Sequence, residues 1–233
     1  MNEKKDIKRI HFNELGSTNE YAKGLRAQGL DVVITADRQT GGRGTKGRSF
    51  SSNEGGVYVT KLNFYHDFPA REAFKIMAGA AVAVCETLEF YGLRPVIKWV
   101  NDIYVNDKKI CGILIENVFS GNRVCSSLVG IGLNVRNVLP KELGHIATTM
   151  AQVMENPPSV EEVRERLIEN LAEQKGMDEY LKRIGYLGRN ATVIFGDKSV
   201  PATLLSVDEE GGLWAEIEGE KRRFAAAEVS LRL

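Results

Sequence analysis

The sequence predicts an α/β fold closed by a small all-β module, and three observations carry that prediction. Short apolar or alternating runs recur between turn residues through the first part of the chain, as in Val32 to Ala36, Val57 to Phe64 and Ile110 to Ile115; this is the patterning of strands. Phe74, Met77, Ala78, Ala81, Val82, Cys85 and Leu88 recur every three or four residues, the apolar stripe of a helix laid on a sheet. From Ala191 onward the period switches to two.

Taken in order, Ile10 and Phe12 alternate with polar neighbours as a first strand. Ser17-Thr18-Asn19-Glu20 has the form of a capping box and opens a helix through about Arg26. Val32 to Ala36 is a buried strand, and Arg38 to Arg48 has no periodicity. Asn53-Glu54-Gly55-Gly56 turns the chain into the strand Val57 to Phe64. Pro69, suited to a helix's first position, starts the clearest helix. Pro95 ends its exit loop ahead of the strand Val96 to Trp99. Ile103 to Val105 and Ile110 to Ile115 flank Asn106-Asp107-Lys108-Lys109 as a hairpin, and a second hairpin turns at Gly121-Asn122 and returns into Gly130-Ile131-Gly132.

Pro157-Pro158 then interrupts the chain, and Ser159 with Glu162 forms a second capping box at the head of a long helix. The period-two region comprises Thr192 to Phe195, Val200 to Val207, Leu213 to Ile217, Arg222 to Phe224 and Val229 to Leu231. Turns at Gly196-Asp197, Gly211-Gly212 and Gly219 divide it. A module this small buries too little surface to stand alone, so it is expected to dock. The expected division is a main domain over 1–186 and a β module over 187–233.

Composition bounds the function. The 233 residues are 43% hydrophobic and 27% charged, ordinary for a globular chain. Lys plus Arg, 31, equals Asp plus Glu, 31, which argues against general binding to a phosphate backbone. Cys85, Cys111 and Cys125 are an odd number without a Cys-x-x-Cys pair. Buried, reduced thiols are expected, not a disulfide framework or zinc site, and His11, His66 and His145 are scattered too. Met1 to Arg9 is polar, unlike a signal peptide. The longest apolar stretch, Ile76 to Val84, is too short to span a bilayer. A cytoplasmic protein without membrane contact is the expectation.

Gly42-Arg43-Gly44-Thr45-Lys46-Gly47-Arg48-Ser49 comes within one residue of a phosphate-binding P-loop, with Arg48 in place of the lysine. The context excludes it, since a P-loop opens directly into a helix and this loop leads to a strand. What remains is a mobile cationic loop whose free amides and guanidinium groups suit a triphosphate or acyl phosphate. The alternative is a solvated surface loop. RNA-binding Arg-Gly sequence would need aromatics and repetition, which are missing.

Lys98-Trp99-Val100-Asn101-Asp102 ends a buried strand. A lysine there can act as a fixed point charge against anionic groups, or can snorkel to solvent. Asp102 can hold magnesium or cap a turn. Gly112, Gly130 and Gly132 interrupt strands, which marks a bulge or a close approach to the backbone.

In this order the segments resemble the biotin protein ligase family. The resemblance rests on Ser17-Thr18-Asn19, on Gln39 with Gly42-Arg43-Gly44 and Gly47-Arg48, and on Lys98 to Asp102, where the family has Lys-Trp-Pro-Asn-Asp. It continues through Gly112 to Glu116, Gly130 to Asn134 and a closing Glu228 to Arg232. It spans nearly the whole chain and implies a class II synthetase-like mixed sheet with flanking helices, followed by an SH3-like β barrel.

The resemblance also implies roles. Ser17, Thr18, Asn19 and Gln39 would bind the biotin head, and Gly42, Arg43, Gly44 and Thr45 would line the biotinyl adenylate. Lys98 and Arg43 would be catalytic, with Lys98 on the reacting carboxylate. Gly112, Gly130 and Gly132 would let the backbone approach biotin. Arg43, Arg48, Phe50, Asn101 and Asn134 would face the nucleotide, and Asp102 would take Mg2+. ATP and biotin are the implied substrates, and the partner is a biotin carboxyl carrier domain with an acceptor lysine. Monomer and homodimer both fit.

Three departures stand out: Val100 for proline, expected to loosen a turn; Phe50 for tryptophan, still able to stack on adenine; and Thr45 for a common arginine, which weakens retention of the adenylate. Sixteen residues precede Ser17, too few for the winged helix of many relatives, so no DNA binding is expected. A lipoate–protein ligase is the nearest alternative. A nucleic-acid module built on the terminal β region is the alternative of another class, and neutral charge argues against it.

Overall fold

The computed structural model describes residues 7–173, 175–226 and 228–232. The first strand, β1 (Lys8–Leu15), leads through Gly16 and Ser17 into α1 (Thr18–Leu25). Ser17 Oγ accepts from the Glu20 N–H at 3.5 Å. The second half of the expected capping box is not made, because the Glu20 carboxylate bonds Lys23 and Arg43 instead. The chain returns as β2 (Val32–Gln39), parallel to β1.

After the glycine-rich loop, β3 (Val57–Pro69) is longer than expected, and α2 (Phe74–Phe90) begins after Pro69, not at it. Phe68 and Pro69 pair with Val124 and Arg123 of a neighbouring strand, and a proline ending a strand gives up no ladder bond it needs. Next come β4 (Val96–Lys98), β5 (Asp102–Val105), β6 (Lys108–Ser120) and β7 (Arg123–Leu133). Asn106 and Asp107 both take positive φ, 50° and 58°, as a two-residue hairpin requires.

Thr149 and Gln152 cap α3 (Met150–Val153) reciprocally, and Ser159 and Glu162 do the same for α4 (Val160–Ala172). α5 (Met177–Arg183) follows. Neither α3 nor α5 is legible from periodicity, since each is too short to show it. The chain ends in β8 (Asn190–Phe195), β9 (Lys198–Val207), β10 (Leu213–Ile217), β11 (Glu220–Phe224) and β12 (Ser230–Arg232).

Two sheets result: a seven-stranded mixed sheet ordered β1-β2-β3-β7-β6-β5-β4, and a five-stranded antiparallel sheet ordered β11-β10-β9-β8-β12. One face of the large sheet meets α1 over a small core of Ala22, Val32, Ile34, Leu62 and Leu128. The other face carries α2, α4 and α5, and its core continues without a break into Val193, Leu204, Leu213 and Ala215 of the small sheet. The β module therefore shares its core, as its size demanded. Trp99 Nε1 reinforces the junction by donating to the Gly211 carbonyl at 3.0 Å. Cys85, Cys111 and Cys125 are free, the first two buried. Among the described residues no helix is long and apolar enough to cross a membrane.

Candidate active site

A cavity of ≈ 790 Å³ opens between α1, the glycine-rich loop, the β5–β7 region and the last strand. Every residue nominated from the sequence except Gly42 lines it. Gly42 stands behind it, and a Cβ there would strike the Phe50 carbonyl and Ser52 Oγ.

One end is polar and uncharged. The Thr18 N–H donates to Gln39 Oε1 at 2.8 Å, and Gln39 Nε2 donates to Ser52 Oγ at 3.0 Å. Thr60, fully buried on β3, lies 2.8 Å from Thr18 Oγ1 and 2.5 Å from Asn19 Oδ1. Asn19 Nδ2 donates to Glu116 Oε2 at 3.0 Å, and Lys23 pairs with Glu116 Oε1 at 2.8 Å and Glu20 at 2.7 Å. Hydrogen bonds to the two carboxylates hold the Lys23 ammonium above the ordinary lysine range, and the bond from Lys23 holds Glu20 below the usual carboxylate range. Thr60 belongs to no motif and reads as an ordinary polar position on a strand, whereas Glu116 closes the Gly112 to Glu116 run without a role having been expected for it.

The three strand glycines make room chiefly for the chain's own side chains. A Cβ on Gly130 would overlap the Asn19 amide, and one on Gly132 would overlap the Phe50 ring. At Gly112 the nearest neighbours are Lys109 Nζ and the same ring, at 3.1 and 3.2 Å. Gly130 and Gly132 share one face two residues apart, about 7 Å along the strand, so the amide and the ring tile one floor.

Backbone hydrogen bonds fold the glycine-rich loop back on itself. Gly44 N donates to the Arg48 carbonyl and Phe50 N to the Gly42 carbonyl, at 2.7 and 2.9 Å. Lys46 and Gly47 take φ of 56° and 72° at its tip. Its cations diverge. Arg43 pairs with Glu20 at 2.7 Å, and Arg48 folds back on Thr45 through the carbonyl and Oγ1. Lys46 Nζ donates to the Val229 carbonyl at 3.0 Å and Ser230 Oγ at 3.1 Å. The last strand thereby becomes a wall of the site.

At the other end stand two ammonium groups, one of them paired with a carboxylate. Lys109 Nζ lies 2.6 Å from Asp102 Oδ1 and 6.0 Å from the Phe50 ring centre. Lys98, opposite Asp102 in the β4–β5 ladder, reaches Tyr104 Oη at 3.4 Å. Burial pulls the Lys98 ammonium below the ordinary lysine range, with Lys109 and Arg48 adding to the shift and Asp102 opposing it. Burial likewise pushes the Tyr104 phenol up to about 12.

Lys109 is the site residue that strand alternation conceals. Strict alternation would put it on the core face with Cys111 and Ile113. A β-bulge in the β5–β6 ladder, pairing Tyr104 with Lys109 and Ile103 with Cys111, turns it to the Gly112 face.

Asn101 and Asn134 serve partly as struts. Asn101 Nδ2 donates to the Ile113 carbonyl at 2.7 Å. Asn134 Nδ2 donates to the Thr148 carbonyl, and its Oδ1 accepts from Asn137 Nδ2, both at 3.1 Å. Asp102 contributes a single carboxylate, and among the described residues no three His, Cys, Asp or Glu side chains converge. That set suits magnesium carried on phosphates, not a dedicated metal cage. The peptide between Trp99 and Val100 is cis.

Residues 13–134 match the model of the biotin/lipoate A/B protein ligase family. The chain is 31% identical to a bifunctional ligase/repressor, BirA, of Bacillus spizizenii, covering 95% of this chain and 73% of that protein. The match to the Bacillus subtilis BirA is 38%, over 61% of this chain and 46% of that protein. A biotin–[acetyl-CoA-carboxylase] ligase of Mycobacterium tuberculosis is 25% identical over 93% of this chain and 86% of its own length. Among solved structures, a biotin protein ligase from Aquifex aeolicus in complex with biotin and ATP superposes with a TM-score of 0.75. It is 28% identical and covers 97% of this chain and 98% of that one.

Proposed function

The chain belongs to the biotin/lipoate A/B protein ligase family, and from that premise we propose that it activates biotin with ATP and transfers it to a carrier-protein lysine. One observation carries this reading: a neutral hydrogen-bonding end and a dicationic end lie in one cavity, across a floor of Gly112, Gly130 and Gly132. The first suits a cyclic urea, and the second suits a carboxylate approaching a phosphate.

In the first step a biotin carboxylate oxygen attacks the α-phosphate of ATP, pyrophosphate leaves, and biotinyl-5'-AMP remains. In the second the acceptor lysine's neutral amine attacks the acyl carbon, loses a proton, and expels AMP. No protein nucleophile is needed. Alignment contributes about 7–11 kcal/mol to such a step, and fixed positive charge stabilises what develops on the phosphate.

Lys98 and Arg43 keep their catalytic assignment in this proposal, and Lys109 joins them, because its ammonium stands over Gly112 while Lys98 turns to Tyr104. Arg43 must leave Glu20 to reach a phosphate. Arg48, Phe50, Asn101 and Asn134 would flank the nucleotide, the last two chiefly by placing backbone. Magnesium supplies charge neutralisation on the triphosphate, and Asp102 is the carboxylate that would hold it.

We read the domains as 1–186 and 187–233, the first as a class II synthetase-like unit and the second as an SH3-like barrel; its five antiparallel strands support the latter. The expected partner is the biotin carboxyl carrier of a carboxylase. A formal charge of zero gives no reason to add DNA or a membrane, and a cytoplasmic setting supplies both ATP and carrier. A lipoate dithiolane has no N–H or carbonyl to engage Thr18 and Gln39, which disfavours that alternative. The test is ATP–pyrophosphate exchange with each acid offered separately. Exchange should depend on biotin; equal or faster exchange with lipoate overturns the assignment.

A further inference from the structure

We propose that the acceptor lysine reaches the adenylate between the head of α2 and Val100, laying its stem on Phe74, Met77 and Val100 and meeting Glu210 of the β9–β10 turn at the mouth. The proposal rests on the reading of the chain as a biotin–protein ligase, whose second substrate is a lysine.

The cavity has a side that the roles of biotin and nucleotide leave unused. Ala73, Phe74, Met77, Val100 and Ile115 line it, each of them apolar and half-buried. Contacts make this side continuous. The Phe74 ring lies against Gly211, where a Cβ would strike it, and meets the Tyr180 ring edge-on, 5.3 Å between centres. Tyr180 Oη donates to the Val100 carbonyl at 2.9 Å. Asn101 joins this side to the reacting end: its carbonyl accepts from the Ile113 N–H at 3.0 Å, and Asp102 follows it in the chain.

Charge decides the occupant. Arg43, Lys46, Arg48, Lys98 and Lys109 line the rest of the cavity, and at neutral pH an incoming lysine is one more cation. Among the described residues two carboxylates line the cavity, Asp102 and Glu210. Asp102 is taken by Lys109 at 2.6 Å. Glu210 pairs with Arg223 at 3.0 Å, but Asp208 holds the same guanidinium at 2.6 and 3.1 Å, so two carboxylates share one cation. The Glu210 side chain is 65% exposed and can turn to an arriving ammonium. The five apolar residues offer a phosphate nothing to bind. They suit a lysine, which covers apolar surface with its four-carbon stem and keeps its head beside an anion or water.

The lysine arrives as an ammonium and goes in as an amine. It gives one proton to water at the mouth. The neutral amine passes along Val100 to the acyl carbon. There the C–N bond forms as the acyl C–O bond breaks, AMP leaves, and the second proton follows to solvent.

The experiment loads the enzyme with labelled biotinyl-5'-AMP, mixes it with a biotin carboxyl carrier domain, and follows transfer. ATP–pyrophosphate exchange, which no acceptor enters, is the reference in the same preparations. Ala73 makes no side-chain capping bond at the head of α2, so Ala73→Trp fills this side without removing a cap. The ratio of transfer to exchange should fall roughly 10- to 100-fold, the effect of a misplaced reactant. Hydroxylamine, small and uncharged at neutral pH, should still capture the acyl group. Glu210→Lys should raise the KM for the carrier roughly 3- to 10-fold at low salt, as expected of a reversed rim charge. That difference should shrink as salt rises.

A wild-type ratio and carrier KM in both variants overturn the proposal. So does a raised KM for biotin or ATP in the exchange reaction of Ala73→Trp, because this side then holds the first substrates. Loss of hydroxylamine capture along with transfer overturns it too, since the reacting end itself is then damaged. Should Ala73→Trp fail to fold, the salt-dependent carrier KM of Glu210→Lys decides alone. An absence of biotin-dependent exchange in the wild-type chain would instead overturn the assignment beneath it.

Discussion

Replacing Lys46 by methionine should shorten the residence time of biotinyl-5'-AMP about tenfold. The lysine donates to the Val229 carbonyl at 3.0 Å and to Ser230 Oγ at 3.1 Å, tying the tip of the glycine-rich loop to the last strand. Methionine keeps the stem and removes the charge and both bonds. A hydrogen bond from a charged donor contributes about 1.5–3 kcal/mol. Lys46 is exposed, so solvent screening holds the two bonds together to the low end of that range. About 1.4 kcal/mol is a factor of ten in an equilibrium, here that between pinned and released loop.

The assay traps labelled intermediate on the enzyme, chases with unlabelled biotin and ATP, and follows loss of label. Adenylate formation in a rapid burst is measured separately, since Lys46 touches the last strand and not the reacting end. Lys46→Arg retains a donor and should stay near the wild-type rate. A Lys46→Met off-rate equal to the wild type would refute the reasoning, because the tie would then contribute nothing to holding the loop.

Lys98→Met should slow adenylation by roughly 10²–10³, the usual loss for one preorganised charge, without unfolding the chain; a wild-type rate would make Lys98 structural. Because burial lowers the Lys98 ammonium, the alkaline limb of kcat should fall below the ordinary lysine range, and Lys98→Arg should remove that limb. In the same window the unfolded chain binds the extra proton, so the wild type should gain stability over Lys98→Met as pH rises. Gly132→Ala puts a methyl where the Phe50 ring lies and should cost about 1–3 kcal/mol by overpacking, read from the urea midpoint together with a raised KM for biotin. Trp99→Phe leaves the Gly211 carbonyl without its buried donor and should cost about 1–3 kcal/mol; an unmoved midpoint would show that the two sheets do not depend on this bond.

Where periodicity is long and unbroken, as along Phe74 to Leu88 or Val57 to Phe64, element type follows directly from residue spacing. The ends depend on partners far away in sequence. Pro69 reads as the start of a helix until Phe68 and Pro69 pair with Val124 and Arg123, and Ser17 reads as half of a capping box until Arg43 and Lys23 take Glu20. In the site, motif residues were legible because glycine and lysine are unusual inside strands. Lys109 was hidden by a one-residue bulge, Thr60 by looking like any polar strand residue, and the role of Lys46 by the 183 positions that separate it from Val229.

That last separation has a consequence for biosynthesis. At about 5–20 residues per second, Val229 is added roughly 10–40 s after Lys46. Throughout that interval a nascent chain has already produced Thr18 and Gln39, and for most of it Lys98 and Lys109, but has no carbonyl to receive the Lys46 ammonium. Contacts between distant segments also close late in folding. The cavity is therefore completed from its oldest residues inward to its newest, and the loop over the reactive end is the last part to be fastened.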